Sequence, residues 1–342
     1  MEVAIAMANF LLTLLAALSA AVATPESFAT LATQEAAAPA DARARAQRLG
    51  ADASTPTLEV GSSEPAVLRA QILLDRTWFS PGEIDGRFSA NMRRAVVAFQ
   101  KARGLAESGR LDDATWAALR ADGAPLFAVH TLTAAEATGP YRKLPPGVAE
   151  RGRLDALGYE SVQEAIAERF HMSENLLREL NPGSAFVAGD KLVVAAIVGT
   201  RPAAVAARSI EIDKSEQILF VLGTGERVLA AFPISIGGPG DPLPVGRMKI
   251  TNEVSNPSYT YDPALLKSAK PGEVRTEIRP GPNSPVGTMW LGLSKPHWGI
   301  HGTPTPARNG DEATDGCIHL TNWDAARLSA LVRAGFEVDV KP

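Results

Sequence analysis

Ile300-His301-Gly302-Thr303, followed after a Pro- and Gly-containing loop by Thr314-Asp315-Gly316-Cys317-Ile318-His319-Leu320, is the passage that decides how this chain is read. Cys317 is its single cysteine. A thiolate is the nucleophilic form of cysteine, and a nearby imidazole can take the thiol proton and later return it to a leaving amine. His301 and Cys317 are the candidates for those two roles. Gly316 removes a side chain just before the nucleophile, leaving backbone N–H groups near Cys317 open to a tetrahedral oxyanion. Gly302 exposes a carbonyl that can hold His301 in one tautomer, the task a carboxylate performs in other triads. Spacing alone does not bring a His and a Cys together, and an isolated cysteine is as readily a buried, inert thiol.

Working outward, the sequence on either side has the period of strands. Ile210-Glu-Ile212, Ile218-Leu-Phe-Val-Leu222 and Val228 to Ile236 are separated by turn residues such as Gly223-Thr-Gly225. Trp298-Gly-Ile300 continues into the His301 strand, Thr321-Asn-Trp-Asp324 opens a helix, and Glu337 to Val340 is a last strand. Pro and Gly punctuate residues 237–287, which predicts loops over the sheet; Tyr259 and Tyr261 there either line a groove or pack beneath a loop. His297 and His301 are not a zinc pair, because residues four apart on a strand are about 13 Å apart. His130 and His171 stand alone in their segments and are assigned no role.

Towards the N-terminus, Ala4 to Ala23 carries no charge and ends in Ala21-Val22-Ala23 before Thr24-Pro25. This is the pattern of an export signal over residues 1–23, or of an uncleaved anchor, since Glu2 replaces the usual basic flank. Residues 24–64, rich in Ala, Pro, Thr and Ser, predict an unstructured tether. In residues 65–121, Met92, Ala95, Val96 and Phe99 recur at helical spacing and Asp112 caps a segment that buries Trp116 and Leu119, which predicts a three-helix bundle. Residues 122–157 read as a linker. In residues 158–196, Ser161-Val-Gln-Glu164 is a capping-box pattern, Ser173 opens another helix and Asn181-Pro182-Gly183 ends it. The net charge of −4, without a long basic run, argues against nucleic acid as a partner.

Several of these motifs resemble known families. The His-Gly-Thr and Gly-Cys segments look like the L,D-transpeptidase catalytic domain family, also called YkuD-like. Ile210 to Asp213, Phe232-Pro-Ile-Ser235-Ile-Gly237, Pro244-Val-Gly246, Gly281-Pro-Asn283-Ser-Pro285-Val-Gly287 and Thr321-Asn322-Trp-Asp324 support the resemblance. Leu68 to Gln71, Ile84-Asp85-Gly86, Ala95 to Gln100 and Gly109 to Asp112 resemble the peptidoglycan-binding domain 1 family, and residues 158–196 look like a glycan-binding LysM module.

The resemblance implies a multidomain α+β protein: a small three-helix bundle, a LysM-like βααβ module and a mainly-β catalytic domain over residues 208–342. It implies that Cys317 attacks the carbonyl joining diaminopimelate to D-alanine in a tetrapeptide stem, with His301 as base. A second stem's amine or another acceptor then resolves the thioester. Water as acceptor, giving an L,D-carboxypeptidase or endopeptidase, is the alternative; a peptidoglycan-binding protein that has lost catalysis is another. Catalytic roles fall to Cys317, His301 and Gly302, and substrate or oxyanion roles to Gly316, Asp315, His319 and Thr303. No metal or organic cofactor is implied. Peptidoglycan is the implied partner, with a wall or outer-membrane protein as a further possible acceptor, and the location is periplasmic or at the cell wall. His319 departs from the family, which usually has Arg there; imidazole is mostly neutral near pH 7 and offers fewer donors. The N-terminal modules hold no paired nucleophile and base, so a chain beginning near Arg208 is expected to fold and keep the chemistry.

Overall fold

The computed structural model describes residues 41–120, 123–198, 206–266, 269–314 and 316–342. The expected export segment and residues 24–40 of the expected tether lie outside the described residues. Among the described residues, no helix is long and apolar enough to cross a membrane.

The rest of the expected tether is folded. Asp41 accepts from the Arg43 N–H and caps α1 (Ala42–Ala51), whose Ala42 and Ala46 pack with Leu68, Ile72, Phe127 and Leu177. Leu58 is fully buried and pairs through its backbone with Leu111. Two alanines one turn apart make too narrow an apolar stripe to mark a helix; the partners that stabilise it are distant in the chain.

The expected bundle is present as α2 (Pro65–Arg76), α3 (Ala90–Arg103) and α4 (Asp113–Leu119). Ser89 accepts from the Met92 N–H to cap α3, Gly104 ends it in a left-handed conformation, and Asp112 caps α4 through the Thr115 N–H. Next come β1 (Phe127–Thr131), α5 (Ala134–Thr138), α6 (Val148–Arg151), α7 (Val162–Arg169), α8 (Glu174–Leu180) and β2 (Lys191–Ala195). β1 pairs antiparallel with β2, from Phe127 opposite Ala195 to Thr131 opposite Lys191. Residues 122–157 are therefore no linker: they hold the first strand of a βααβ-like unit, which begins at Phe127. Only Phe127 of that strand is buried, so its apolar alternation is weak.

The C-terminal domain contains β3 (Ala207–Asp213), β4 (Ile218–Gly223), β5 (Val228–Pro233), β6 (Gly246–Ser255), β7 (Tyr259–Tyr261), β8 (Thr276–Ile278), β9 (Met289–Leu293), β10 (Gly299–His301), β11 (Ile318–His319), α9 (Asn322–Ser329) and β12 (Glu337–Lys341). Eight strands form one sheet in the order β11-β10-β9-β6-β12-β3-β4-β5, while β7 and β8 pair with each other outside it. Residues 237–287 are thus not all loop, since β6 lies in the middle of the sheet between β9 and β12. Only Met248 and Ile250 of its ten residues are buried, so composition conceals it.

The units share their cores. All six residues of β4 are buried because the strand is covered on both faces. Leu219 and Val221 face the interior of the C-terminal domain with Ile210, Phe232 and Val338. Ile218, Phe220 and Leu222, with Val228 and Ala231 of β5, pack instead against Val67, Leu74, Val96 and Phe99 of the bundle. The free edge of β5 is closed by the chain leaving α2: the Ala231 N–H donates to the Trp78 carbonyl and the Ser80 N–H to the Ala231 carbonyl. A buried ion cluster joins all three units. Asp75 of α2 accepts two 2.8 Å hydrogen bonds from Arg327 of α9 and lies 3.0 Å from His171 Nδ1, whose ring stacks on Trp323 at 5.1 Å. His171, unassigned from sequence, is a joint between modules.

Candidate active site

Strand pairing assembles the site. β10 runs antiparallel to β9 and parallel to β11, with His301 opposite Trp290 on one side and His319 on the other. Residues opposite one another share a face, so the three rings form a row. Trp290 stacks on the His301 ring with centroids 5.4 Å apart, and His319 leans on it at 4.4 Å. Cys317 immediately precedes β11, two positions before His319. The other edge of β11 is held by the Phe232 to Gly237 motif, where Ser235 and His319 exchange N–H to carbonyl bonds of 3.1 and 2.9 Å.

The two ring nitrogens of His301 are distinguished by one contact. Nδ1 lies 2.8 Å from the Gly302 carbonyl. A carbonyl only accepts, so Nδ1 carries the proton and Nε2 presents a lone pair. Burial holds the His301 pKa down to about 4 against the opposing effect of that carbonyl, so the ring is neutral at neutral pH. This is the orienting carbonyl expected from Gly302, but the glycine itself has another reason. A methyl group there would lie 2.2 Å from Asn322 Oδ1, and one at Gly287 would lie 2.1 Å from the same atom. Both glycines make room for the Asn322 amide, which also accepts from the Thr288 N–H at 3.1 Å.

Cys317 is poised differently from the sequence expectation. Its Sγ donates to the His297 carbonyl at 3.7 Å rather than to His301. Burial pushes the thiol pKa up, a backbone hydrogen bond from Gly299 opposes this, and the Asp241 carboxylate adds to the rise. The balance favours a neutral thiol in the resting state. Gly316 adopts φ of +118°, and a methyl group there would approach Asp241 Oδ2 to 3.0 Å, so the residue before the nucleophile must be glycine. Thr314 Oγ1 donates to the Cys317 carbonyl at 2.6 Å and ties that turn together. Asp315 lies outside the described residues.

His319 does not replace the usual Arg as a cation. Burial, and then the neighbouring His301, hold its pKa well below the ordinary imidazole value, so it stays neutral and serves as a wall of the site. Thr303 is buried and accepts from the Thr305 N–H at 3.2 Å, which shapes the turn after His301. Tyr261 bonds to Glu273 within the separate β7–β8 ribbon. Sequence reasoning assigned no site role to Trp290, Asp241 or Asn322. Asn322 was visible only as part of a motif that opens α9, and nothing in that motif indicates what its amide touches.

The L,D-transpeptidase catalytic domain family, YkuD, matches residues 207–340, and the family described as "Putative peptidoglycan binding domain" matches residues 63–119. Proteins named "Putative L,D-transpeptidase YkuD" from Bacillus licheniformis and Bacillus subtilis are 28% and 29% identical to this chain. Each alignment covers 52% of this chain, and 93% and 91% of the respective relative. Among solved structures, an L,D-transpeptidase from Mycobacterium smegmatis is similar at 20% identity and a TM-score of 0.33, over 46% of this chain and 64% of that one. An L,D-transpeptidase from Xylanimonas cellulosilytica gives 16% identity and a TM-score of 0.35, over 85% and 100%. Residues 207–340, which contain both His301 and Cys317, are thus similar to the L,D-transpeptidase catalytic domain family.

Proposed function

We propose that this protein is a peptidoglycan L,D-transpeptidase that works through a thioester on Cys317. The observation that carries this reading is His301 with its Nδ1 on the Gly302 carbonyl, in a strand paired directly with β11, which Cys317 immediately precedes. A neutral thiol beside a neutral imidazole favours proton transfer during attack: Nε2 takes the Sγ proton as sulfur adds to the carbonyl of the donor stem. The oxyanion is stabilised by backbone N–H groups at the Gly316 to Cys317 turn. Collapse of the tetrahedral species breaks the C–N bond, and the imidazolium returns its proton to the departing D-alanine amine. An acceptor amine then attacks the thioester by the same route in reverse, regenerating the thiol. Diaminopimelate-containing tetrapeptide stems are the proposed donors. The helical domain and the LysM-like unit hold the glycan strand, and the N-terminal segment directs export to the periplasm or wall.

The test uses the full chain with imipenem and intact-protein mass. One adduct on the native protein is expected, none on Cys317→Ala, and acylation slowed roughly 10²- to 10⁴-fold on His301→Ala. Unaltered mass after prolonged exposure, with equal alkylation of native and His301→Ala protein, refutes the mechanism. Muropeptide masses after incubation with tetrapeptide-containing sacculi separate transfer from hydrolysis.

A further inference from the structure

The base of the active site is backed by a chain of contacts that begins in another module. The Gly302 carbonyl orients His301, and the Gly302 Cα packs on Asn322 Oδ1. The Asn322 amide is 3% exposed, and its Nδ2 donates to the Pro282 carbonyl at 3.1 Å and to Glu168 Oε1 at 3.0 Å. Glu168 belongs to α7 of the LysM-like unit, and its Oε1 also accepts from the Tyr159 hydroxyl at 3.0 Å. One turn earlier on the same helix, Glu164 Oε1 accepts from Asn283 Nδ2 at 2.7 Å. Asn283 lies in the loop that leads to Gly287, the other glycine against Asn322 Oδ1. Two carboxylates four residues apart on one helix face therefore grip two asparagines of the catalytic domain.

An amide can be flipped end for end at little intrinsic cost, so its orientation is set by its partners. Glu168 is an acceptor and faces Nδ2. Reversing Asn322 would put Oδ1 against the Glu168 and Pro282 oxygens and Nδ2 against the Thr288 N–H, losing all three hydrogen bonds. The catalytic domain supplies the Thr288 donor and the Pro282 acceptor, and α7 supplies the Glu168 acceptor.

We propose that Glu168 is a positioning residue for the His301 base, acting through Asn322 and Gly302, so that docking of the LysM-like unit is part of what readies the catalytic site. The proposal rests on the transpeptidase reading only in taking His301 as the base. Glu168 borders a cavity of about 390 Å³ that also reaches Glu83, Glu174 and the Pro304 to Arg308 segment, so its side chain can be shortened without leaving a sealed void. Burial raises its pKa to about 7, with Glu164 adding to the rise while Asn322 and Tyr159 oppose it. Oε1 accepts from Asn322 in either protonation state, so a neutral amide at this position keeps the contact.

The experiment measures imipenem acylation rates of the full chain from about pH 5.5 to 9, a range chosen to bracket the raised carboxyl, in native, Glu168→Ala, Glu168→Gln, Asn322→Ala and the Glu168→Ala/Asn322→Ala double variant. Circular dichroism melts confirm that each is folded at the assay temperature. Glu168→Ala is expected to slow acylation roughly tenfold at every pH in the range, the rate equivalent of one buried hydrogen bond whose acceptor serves in either protonation state. Glu168→Gln should stay within about twofold of native, and the double variant should be no slower than Asn322→Ala alone. A folded Glu168→Ala protein with the native rate across that range overturns the proposal. So does a Glu168→Gln protein as slow as Glu168→Ala, or losses that multiply in the double variant. Failure of the native protein to acylate at all strikes instead at the transpeptidase reading, and the His301→Ala control keeps the two failures apart.

Discussion

A chain of residues 207–342, which matches the catalytic domain family almost end to end, is expected not to fold stably alone. Removing the preceding modules uncovers Ile218, Phe220, Leu222 and Val228, which are buried against the helical bundle. Full burial of such a side chain contributes about 1.5–3 kcal/mol, so the four together represent about 6–12 kcal/mol, an upper bound because isolated sheets relax and collapse. A whole domain is stable by about 5–15 kcal/mol. The truncation also exposes the backbone edge of β5 now covered by Trp78 to Ser80, and removes Asp75 from Arg327. Near-ultraviolet circular dichroism during heating, with gel filtration, should show no cooperative melt and a self-associating species. Replacing Ile218, Phe220, Leu222 and Val228 by Thr should restore solubility, since those positions are the cause and Thr suits a strand. A monomeric, unsubstituted 207–342 chain melting within about 5 °C of the full-length protein, a shift of about 1 kcal/mol for a domain this size, would refute the reasoning.

Four further outcomes follow from the geometry. Gly302→Ala places a methyl group 2.2 Å from Asn322 Oδ1, and the displacement of the His301 loop should lower imipenem acylation about 100-fold, the scale of a 1 Å misplacement, with little loss of substrate affinity. Iodoacetamide alkylation of Cys317 should keep rising with pH beyond the ordinary thiol range, because burial raises its pKa; a plateau already reached near neutrality would mean a preformed thiolate. At Asp75, burial is outweighed by Arg327 and His171, so its folded pKa lies below the unfolded value. Its stabilisation is present above the unfolded pKa and lost as pH falls through the folded one; Asp75→Asn should cost about 3–5 kcal/mol in urea unfolding at neutral pH and progressively less in acid. Asp324 has the opposite sign: burial raises its pKa to about 7 despite Arg327 and the Ser80 hydroxyl, so Asp324→Asn should raise the melting midpoint above neutrality and lose that advantage below the unfolded carboxylate range.

The sequence by itself determined the local elements and nominated His301 and Cys317 as the candidate pair. Helix periodicity marked Met92, Ala95, Val96 and Phe99, caps at Ser161, Ser173 and Thr321 were found where their hydroxyls accept backbone N–H bonds, and the strands around Ile210, Ile218 and Val338 are in place. These signals are short-range: a cap or a turn of helix involves residues within four positions of one another. His301 and Cys317 were legible as candidates because the His-Gly-Thr and Gly-Cys segments around them resemble a family's motifs; spacing alone left them unpaired. The tertiary structure decided the rest. Strand β6 and helix α1 have weak apolar patterns and owe their stability to partners far along the chain. The unbroken apolar run of β4 carried the sign of a strand covered on both faces, yet not the identity of its second cover. The protonation of Cys317 and His319 depends on burial, and the role of Gly302 on the Asn322 amide; both are set by residues brought together only when the sheet closes. Pattern in a chain reports which face a residue turns, and only folding in space fixes what that face meets.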